Sequence, residues 1–218
     1  MIKAILFDFD GTLVDTNQLI IRSFNETFKK LFPNRCFTES EIMDCIGPTL
    51  EETGQKYYAE DPKSLVDIYR GFCWQYHDEM IVIYPGIEEM LKSLKEMGLK
   101  LVIVTSKKTD MATRGLEVTK LLSYFDWMVS ADDVKNPKPH QEPIERVLDY
   151  YHLKPEECLM VGDNSHDILC AKAAGVTSVA VGWALRGADY LKSFSPDYII
   201  DEASDLIKII KEEGVLDE

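Results

Sequence analysis

The sequence predicts an α/β fold: a doubly wound, mainly parallel sheet with an inserted helical domain. Three observations predict it. A short apolar strand opens the chain and ends in two aspartates. Residues 16–84 then carry helical patterning only. From about Tyr84 onward, strands alternate with helices.

The opening strand runs Lys3-Ala4-Ile5-Leu6-Phe7 into Asp8-Phe9-Asp10-Gly11-Thr12-Leu13-Val14-Asp15. Ending a buried strand in Asp-x-Asp is costly unless the charges have a partner. A divalent cation and a phosphate group would supply one. An EF-hand loop is excluded. Counting Asp8 as its first position puts Leu13 where glycine is needed and Leu19 where glutamate is needed.

The next block reads as helices. Ile20, Phe24, Phe28 and Leu31 share one face. Thr38 with Glu41, and Thr49 with Glu52, have capping-box spacing. Asp61-Pro62 is an N-cap followed by proline at the first helical position. Leu65, Ile68, Tyr69, Phe72 and Tyr76 continue an apolar stripe. The loop Gly47-Pro48-Thr49 suits either a helix-helix turn or a contact with the site. The expected division is therefore 1–15 with 85–218 as the core and 16–84 as the insertion. Hinges are expected near Asp15–Asn17 and Tyr84–Gly86.

Beyond it, Leu99–Val104, Trp127–Val129, Cys158–Val161, Ser178–Val181 and Tyr198–Ile200 read as strands. Ile87, Met90, Leu91 and Leu94 mark one intervening helix. Ile144, Val147, Leu148 and Tyr151 mark another. Asp167–Ala174 is a third, closed by Gly175. A sheet built this way gathers ligands at the carboxyl ends of its strands.

Four separated motifs fall at such ends. The first is Asp8-x-Asp10-Gly11-Thr12. The second is Thr105-Ser106, which would deliver a hydroxyl and backbone N–H groups to the same mouth. The third is Asn136-Pro137-Lys138-Pro139, whose prolines should hold a lysine rigidly in an extended loop. The fourth is Gly162-Asp163-Asn164-Ser165-His166-Asp167. N-capping explains one of its acids, not both in addition to Asp8 and Asp10. Carboxylate oxygens are the ligands Mg²⁺ prefers. His166 is expected as a helix-surface residue. No G-x-x-x-x-G-K, no G-x-G-x-x-G and no Cys/His cluster of zinc spacing occurs.

The net charge of −14 argues against nucleic acid or an anionic membrane as partner. It equally requires a local metal and lysines if the substrate is an anion. The five cysteines are an odd number without a C-x-x-C pair, which points to free thiols in a reducing cytoplasm. No signal peptide is visible at the start, and no apolar stretch is long enough to span a bilayer.

The set Asp8-Phe9-Asp10-Gly11-Thr12, Thr105, Lys138 and Gly162-Asp163-x-x-x-Asp167 resembles the phosphatase branch of the haloacid dehalogenase superfamily. The insertion after the first strand resembles its type-one cap. Four stretches are similar to the phosphoglycolate phosphatase group and, within it, to the bacterial inorganic pyrophosphatase branch. They are Asp15–Ile21, Ile46–Leu50, Gly162–Asp167 and Trp183-Ala184-Leu185-Arg186-Gly187. Asn136 before the lysine is a departure from that branch.

The resemblance implies a Rossmann-like core and an aspartyl-phosphate formed on Asp8. It implies Asp10 as the acid and base. It implies Mg²⁺ held by an Asp8 oxygen, the Asp10 carbonyl and Asp163, with Asp167 holding metal waters or Lys138. Thr105, the backbone near Ser106, and Lys138 would balance phosphoryl charge. Gly11, Thr12, Ser106, Asn17 and Lys107 are the expected substrate contacts. Arg22 is a further candidate near the first hinge. The presence of Asp10 favours phosphate esters or anhydrides over haloacids. Pyrophosphate is the first substrate expected and 2-phosphoglycolate the second. A β-phosphoglucomutase-like transfer to a sugar is the third. A phosphometabolite sensor is disfavoured, because a binder needs no nucleophile. Crowded carboxylates without a cation are expected to show raised pKa values or disorder. The sequence does not choose between a monomer and a dimer.

Overall fold

The structure, a computed structural model, describes residues 1–212. The chain separates into two compact units. One is Met1–Asp15 with the chain from Val82 onward; the other is Thr16–Ile81.

The first unit begins with β1 (Ala4–Phe7) and β2 (Val14–Asp15). The helical unit follows as α1 (Asn17–Leu31), α2 (Glu39–Met43), α3 (Leu50–Tyr57) and α4 (Pro62–Met80). The first unit resumes with β3 (Val82–Ile83), α5 (Ile87–Glu96), β4 (Lys100–Val104), α6 (Thr109–Val118) and β5 (Trp127–Val129). It continues through α7 (Glu142–Tyr151), β6 (Cys158–Gly162), α8 (Ser165–Ala174), β7 (Thr177–Val181), α9 (Ala188–Lys192), β8 (Tyr198–Ile200) and α10 (Asp205–Glu212).

Six strands form one sheet in the order β5-β4-β1-β6-β7-β8, and every pairing in it is parallel. β1 is enclosed between β4 and β6. All four of its residues are 0% exposed, so both faces of the sheet are covered there. Ala4, Leu6, Val102, Val104 and Met160 face α7 and α8 through Ile144, Val147, Cys170 and Ala171. Ile5, Phe7, Leu101 and Ile103 alternate to the opposite face and are equally buried.

β2 and β3 form a separate antiparallel ladder, Val14 opposite Ile83 and Asp15 opposite Val82. Tyr84 N–H also donates to Leu13 O at 3.1 Å. The chain thus leaves and re-enters the first unit at one tied point. That ladder places residues 82–84 with the core rather than with the insertion.

Within the helical unit, α1 packs on α4 and α3 on α4. Both capping boxes form: Thr38 with Glu41 opens α2, and Thr49 with Glu52 opens α3. Asp61 caps α4 through Ser64 N–H, ahead of Pro62. Each such cap is worth about 0.5–2 kcal/mol. The interior is aromatic. Phe28 stacks on Phe37 with centroids 4.0 Å apart, and Phe24 meets Tyr69 at 4.5 Å. The five cysteines are free, four of them buried. Among the described residues no helix is long and apolar enough to cross a membrane.

Candidate active site

Register brings the motifs together. Phe7 sits opposite Ile103 of β4 and Val161 of β6. Asp8 therefore emerges level with Val104 and Gly162, and its N–H still donates to Val161 O at 2.9 Å. One residue farther out, Thr105 follows β4 and Asp163 follows β6. Parallel strands send all three ends to the same edge.

Lys138 reaches into this edge and is 4% exposed, so its charge must be met by protein. Its Nζ donates to Asp8 Oδ1 at 2.8 Å, to Asp167 Oδ1 at 2.6 Å and to Val104 O at 2.9 Å. The backbone that carries it is not the extended loop expected. It is a turn, with His140 N–H donating to Pro137 O at 2.9 Å, and this turn feeds the ammonium inward.

Asp163 accepts from Thr12 Oγ1 at 3.3 Å. Gly11, with φ +76, packs so closely that a Cβ there would lie 2.2 Å from Asp163 Oδ2. A Cβ on Gly162 would lie 2.3 Å from the Asp167 Cβ. Both glycines therefore provide clearance for the acids. The Thr12 carbonyl in turn accepts from Trp183 Nε1 at 3.2 Å.

Asn164, not Asp163, caps α8. Its side chain accepts from His166 N–H, and its own N–H donates to Asp167 Oδ2 at 3.0 Å. Asp167 thus spends one oxygen on the helix start and the other on Lys138. The Asn164-x-x-Asp167 spacing is a capping-box signal that the sequence reading passed over.

Asp10 pairs with Lys107, Nζ to Oδ1 at 2.7 Å. Lys107 N–H donates to Thr105 Oγ1 at 3.1 Å. The Ser106 hydroxyl is buried with no hydrogen-bond partner among the described residues. Asn17 is the first residue of α1 and Arg22 lies one turn on, so both belong to the helical unit. There, the Arg22 guanidinium lies over the Tyr76 ring at 4.2 Å.

Carboxylate oxygens of Asp8, Asp163 and Asp167 lie within 4.8 Å of one another. One buried ammonium thus faces three buried acids. Burial, followed by repulsion from Asp167 and Asp10, outweighs Lys138 and pushes the Asp8 carboxyl up to about 7. Burial and the Asp8 and Asp167 charges hold Asp163 well above the usual carboxylate range. Burial opposes the charged form of Lys138, but Asp167 and Asp8 more than reverse it, so its pKa is raised. The expectation of raised carboxyl pKa values is met at Asp8 and Asp163. An all-oxygen donor set with two charges still to be neutralised fits a hard divalent cation such as Mg²⁺.

A pH-dependent stability follows. Asp8 has its folded pKa raised from 3.8 to about 7. Between those values the folded state holds a proton that the unfolded state has lost. In chelator, the melting temperature should therefore rise as pH falls from about 8 to about 5. Carboxyls held low elsewhere, such as Asp126 and Asp132, lose their contribution only below that window. Added Mg²⁺ should raise the melting temperature more at the alkaline end. A melting temperature that falls on acidification through this range would contradict the assignment.

Three buried acids and one ammonium at the carboxyl edge of a parallel sheet mark this mouth as the ligand site of the fold. The chain belongs to the haloacid dehalogenase-like hydrolase family, whose pattern matches residues 5–181. It is 43% identical over 209 residues to a Halalkalibacterium halodurans protein named pyrophosphatase PpaX, covering 96% of this chain and 97% of the relative. A Bacillus mycoides protein of the same name is 42% identical, with the same coverage of both chains. A solved structure described as a predicted phosphatase from Clostridium acetobutylicum superposes with a TM-score of 0.86 at 30% identity. That match covers 97% of this chain and 99% of the other.

Proposed function

We propose that the chain is a Mg²⁺-dependent phosphohydrolase that cleaves inorganic pyrophosphate through an aspartyl-phosphate on Asp8. The observation that carries this is the Asp8 carboxylate itself. It projects from the central strand, takes a hydrogen bond from Lys138 and lies within ligating range of Asp163. The substrate assignment is supported by the relatives at 42 and 43% identity, both named pyrophosphatase.

Asp8 and Asp163 would hold the cation. The Asp10 carbonyl is the further ligand that the family resemblance implies. Asp167 orients Lys138, since both its oxygens are engaged. When bound, Mg²⁺ supplies charge neutralisation for the transferring phosphoryl group and keeps the two acids ionised.

An Asp8 oxygen forms the bond to phosphorus as the bond to the leaving oxygen breaks. Asp10 gives its proton to the leaving oxygen, then takes a proton from the water that attacks the aspartyl-phosphate. Phosphate and free Asp8 result. Lys138, Thr105 and the backbone beside Ser106 balance charge on the equatorial oxygens. The helical unit, Thr16–Ile81, takes the part of the family's cap. A cytoplasmic setting suits the free, buried thiols.

The test is phosphate release, with Mg²⁺ and with chelator, from pyrophosphate, 2-phosphoglycolate and p-nitrophenyl phosphate. Fastest release from pyrophosphate, lost in chelator, is expected. Faster turnover of 2-phosphoglycolate would move the substrate to that ester. Turnover that requires a sugar acceptor would make the chain a mutase. Full activity in excess chelator would remove the metal from the reaction.

A further inference from the structure

The two ammonium groups at this mouth differ in what they have left to give. Lys138 has three donors and three protein partners, Asp8, Asp167 and the Val104 carbonyl. It is fully spent and nearly sealed from solvent. Lys107 also has three donors, but its only hydrogen-bond partner among the described residues is Asp10 Oδ1, at 2.7 Å. Its side chain is 12% exposed, so water does little to satisfy the rest.

The position of Lys107 is fixed by its surroundings. Its N–H donates to Thr105 Oγ1 and its carbonyl accepts from Ala131 N–H at 3.0 Å. Its ammonium also lies 5.3 Å from the centre of the Phe9 ring. This is a held cation with unspent donors, in a chain whose net charge of −14 otherwise repels anions.

The side of the mouth matters. In an in-line displacement the nucleophile and the leaving group lie on opposite sides of phosphorus. Lys138 sits on the nucleophile, Asp8. Lys107 sits on Asp10, the residue that serves the leaving oxygen. A group bonded to Asp10 is within reach of whatever that oxygen carries.

We propose that Lys107 is a specificity-determining residue that reads the charge of the leaving group and selects phosphoric anhydrides over esters of neutral alcohols. This rests on the reading of Asp8 as nucleophile and Asp10 as the group serving the leaving oxygen, and it deepens that reading. The leaving half of pyrophosphate is already an anion before the bond breaks and accepts the free Lys107 donors. An aryl or alkyl ester presents no charge there until the bond breaks.

The test compares kcat/KM for pyrophosphate and for p-nitrophenyl phosphate, both with Mg²⁺, in the wild type, Lys107→Met and Lys107→Arg. The ratio of the two should fall about 10²-fold in Lys107→Met, the size of one charge-assisted hydrogen bond left unmade. Lys107→Arg, which keeps the charge, should recover most of it. The loss should appear mainly in KM for pyrophosphate, and thermal melts report whether each variant is folded. A ratio within about threefold of wild type in folded Lys107→Met overturns this inference alone. Wild-type release from p-nitrophenyl phosphate but not from pyrophosphate overturns it too, while leaving a phosphohydrolase. Release from neither substrate overturns the phosphohydrolase reading, and this inference with it.

Discussion

Asp8→Asn is expected to reduce phosphate release from every substrate by on the order of 10⁴-fold or more, the scale seen when a nucleophile is removed. The amide is isosteric, and its oxygen still accepts from Lys138. It cannot form and release an acyl phosphate at a useful rate. Folding should not suffer. Asp8 is only 8% exposed, and burial makes its charge a liability rather than an asset. In chelator at about pH 8 the variant should melt no lower than the wild type, and the melting shift produced by Mg²⁺ should shrink. Phosphate release and thermal melts measured side by side check both halves. Residual activity above roughly 1% of wild type would take the nucleophile role away from Asp8.

Lys138→Met should do the opposite to stability. It removes the one ammonium that three buried acids share and leaves the Val104 carbonyl without its donor. Breaking a buried ion pair from one side costs about 3–5 kcal/mol. Urea unfolding in chelator near neutral pH should show a loss of that size, with activity down on the order of 10³-fold. Part of the stability should return with Mg²⁺, which supplies positive charge to the same acids. Part should also return in the Asp8→Asn, Lys138→Met double variant, because the two positions are in contact and their effects should not add. A single variant that unfolds within about 1 kcal/mol of wild type in chelator would mean that Lys138 does not neutralise the cluster.

Strands and helices with an unmixed burial pattern were legible in the sequence. Trp127–Val129 and Tyr198–Ile200 form as read, and β4, β6 and β7 differ from expectation by one residue at an end. Where polar residues occupy the inner face, periodicity misled. The buried stripe of α4 holds Leu65, Tyr69, Cys73 and His77 rather than Ile68, Phe72 and Tyr76. On α1, Ser23 and Thr27 are buried, and the Thr27 hydroxyl is satisfied within the helix by donating to Ser23 O. α6 escaped notice with Gly115 inside it and three apolar residues, Met111, Ala112 and Leu116, on its buried side. The β2–β3 ladder is two residues long on each side, too short for alternation to show.

At the site, the meeting of Asp8, Lys138, Asp163 and Asp167 was legible because Asp8 and Asp163 stand just beyond strand ends, while Lys138 and Asp167 lie in the loop and the helix start that follow β5 and β6. What the individual groups do was not. The double duty of Asp167, the clearance given by Gly11 and Gly162, and the pairing of Lys107 with Asp10 depend on side-chain directions that spacing does not encode.

The bonds that assemble the site join very distant parts of the polypeptide. Lys138 to Asp8 spans 130 positions, and Thr12 to Asp163 spans 151. A nascent chain receives Lys138, and after it Asp163 and Asp167, only once at least 130 further residues have followed Asp8. Until then Asp8 has neither its counter-charge nor the flanking β6 strand. Because chains emerge at about 5–20 residues per second, that unmatched state lasts many seconds on the ribosome. A product stopped before residue 138 would therefore carry Asp8 without the ammonium that faces it in the folded chain.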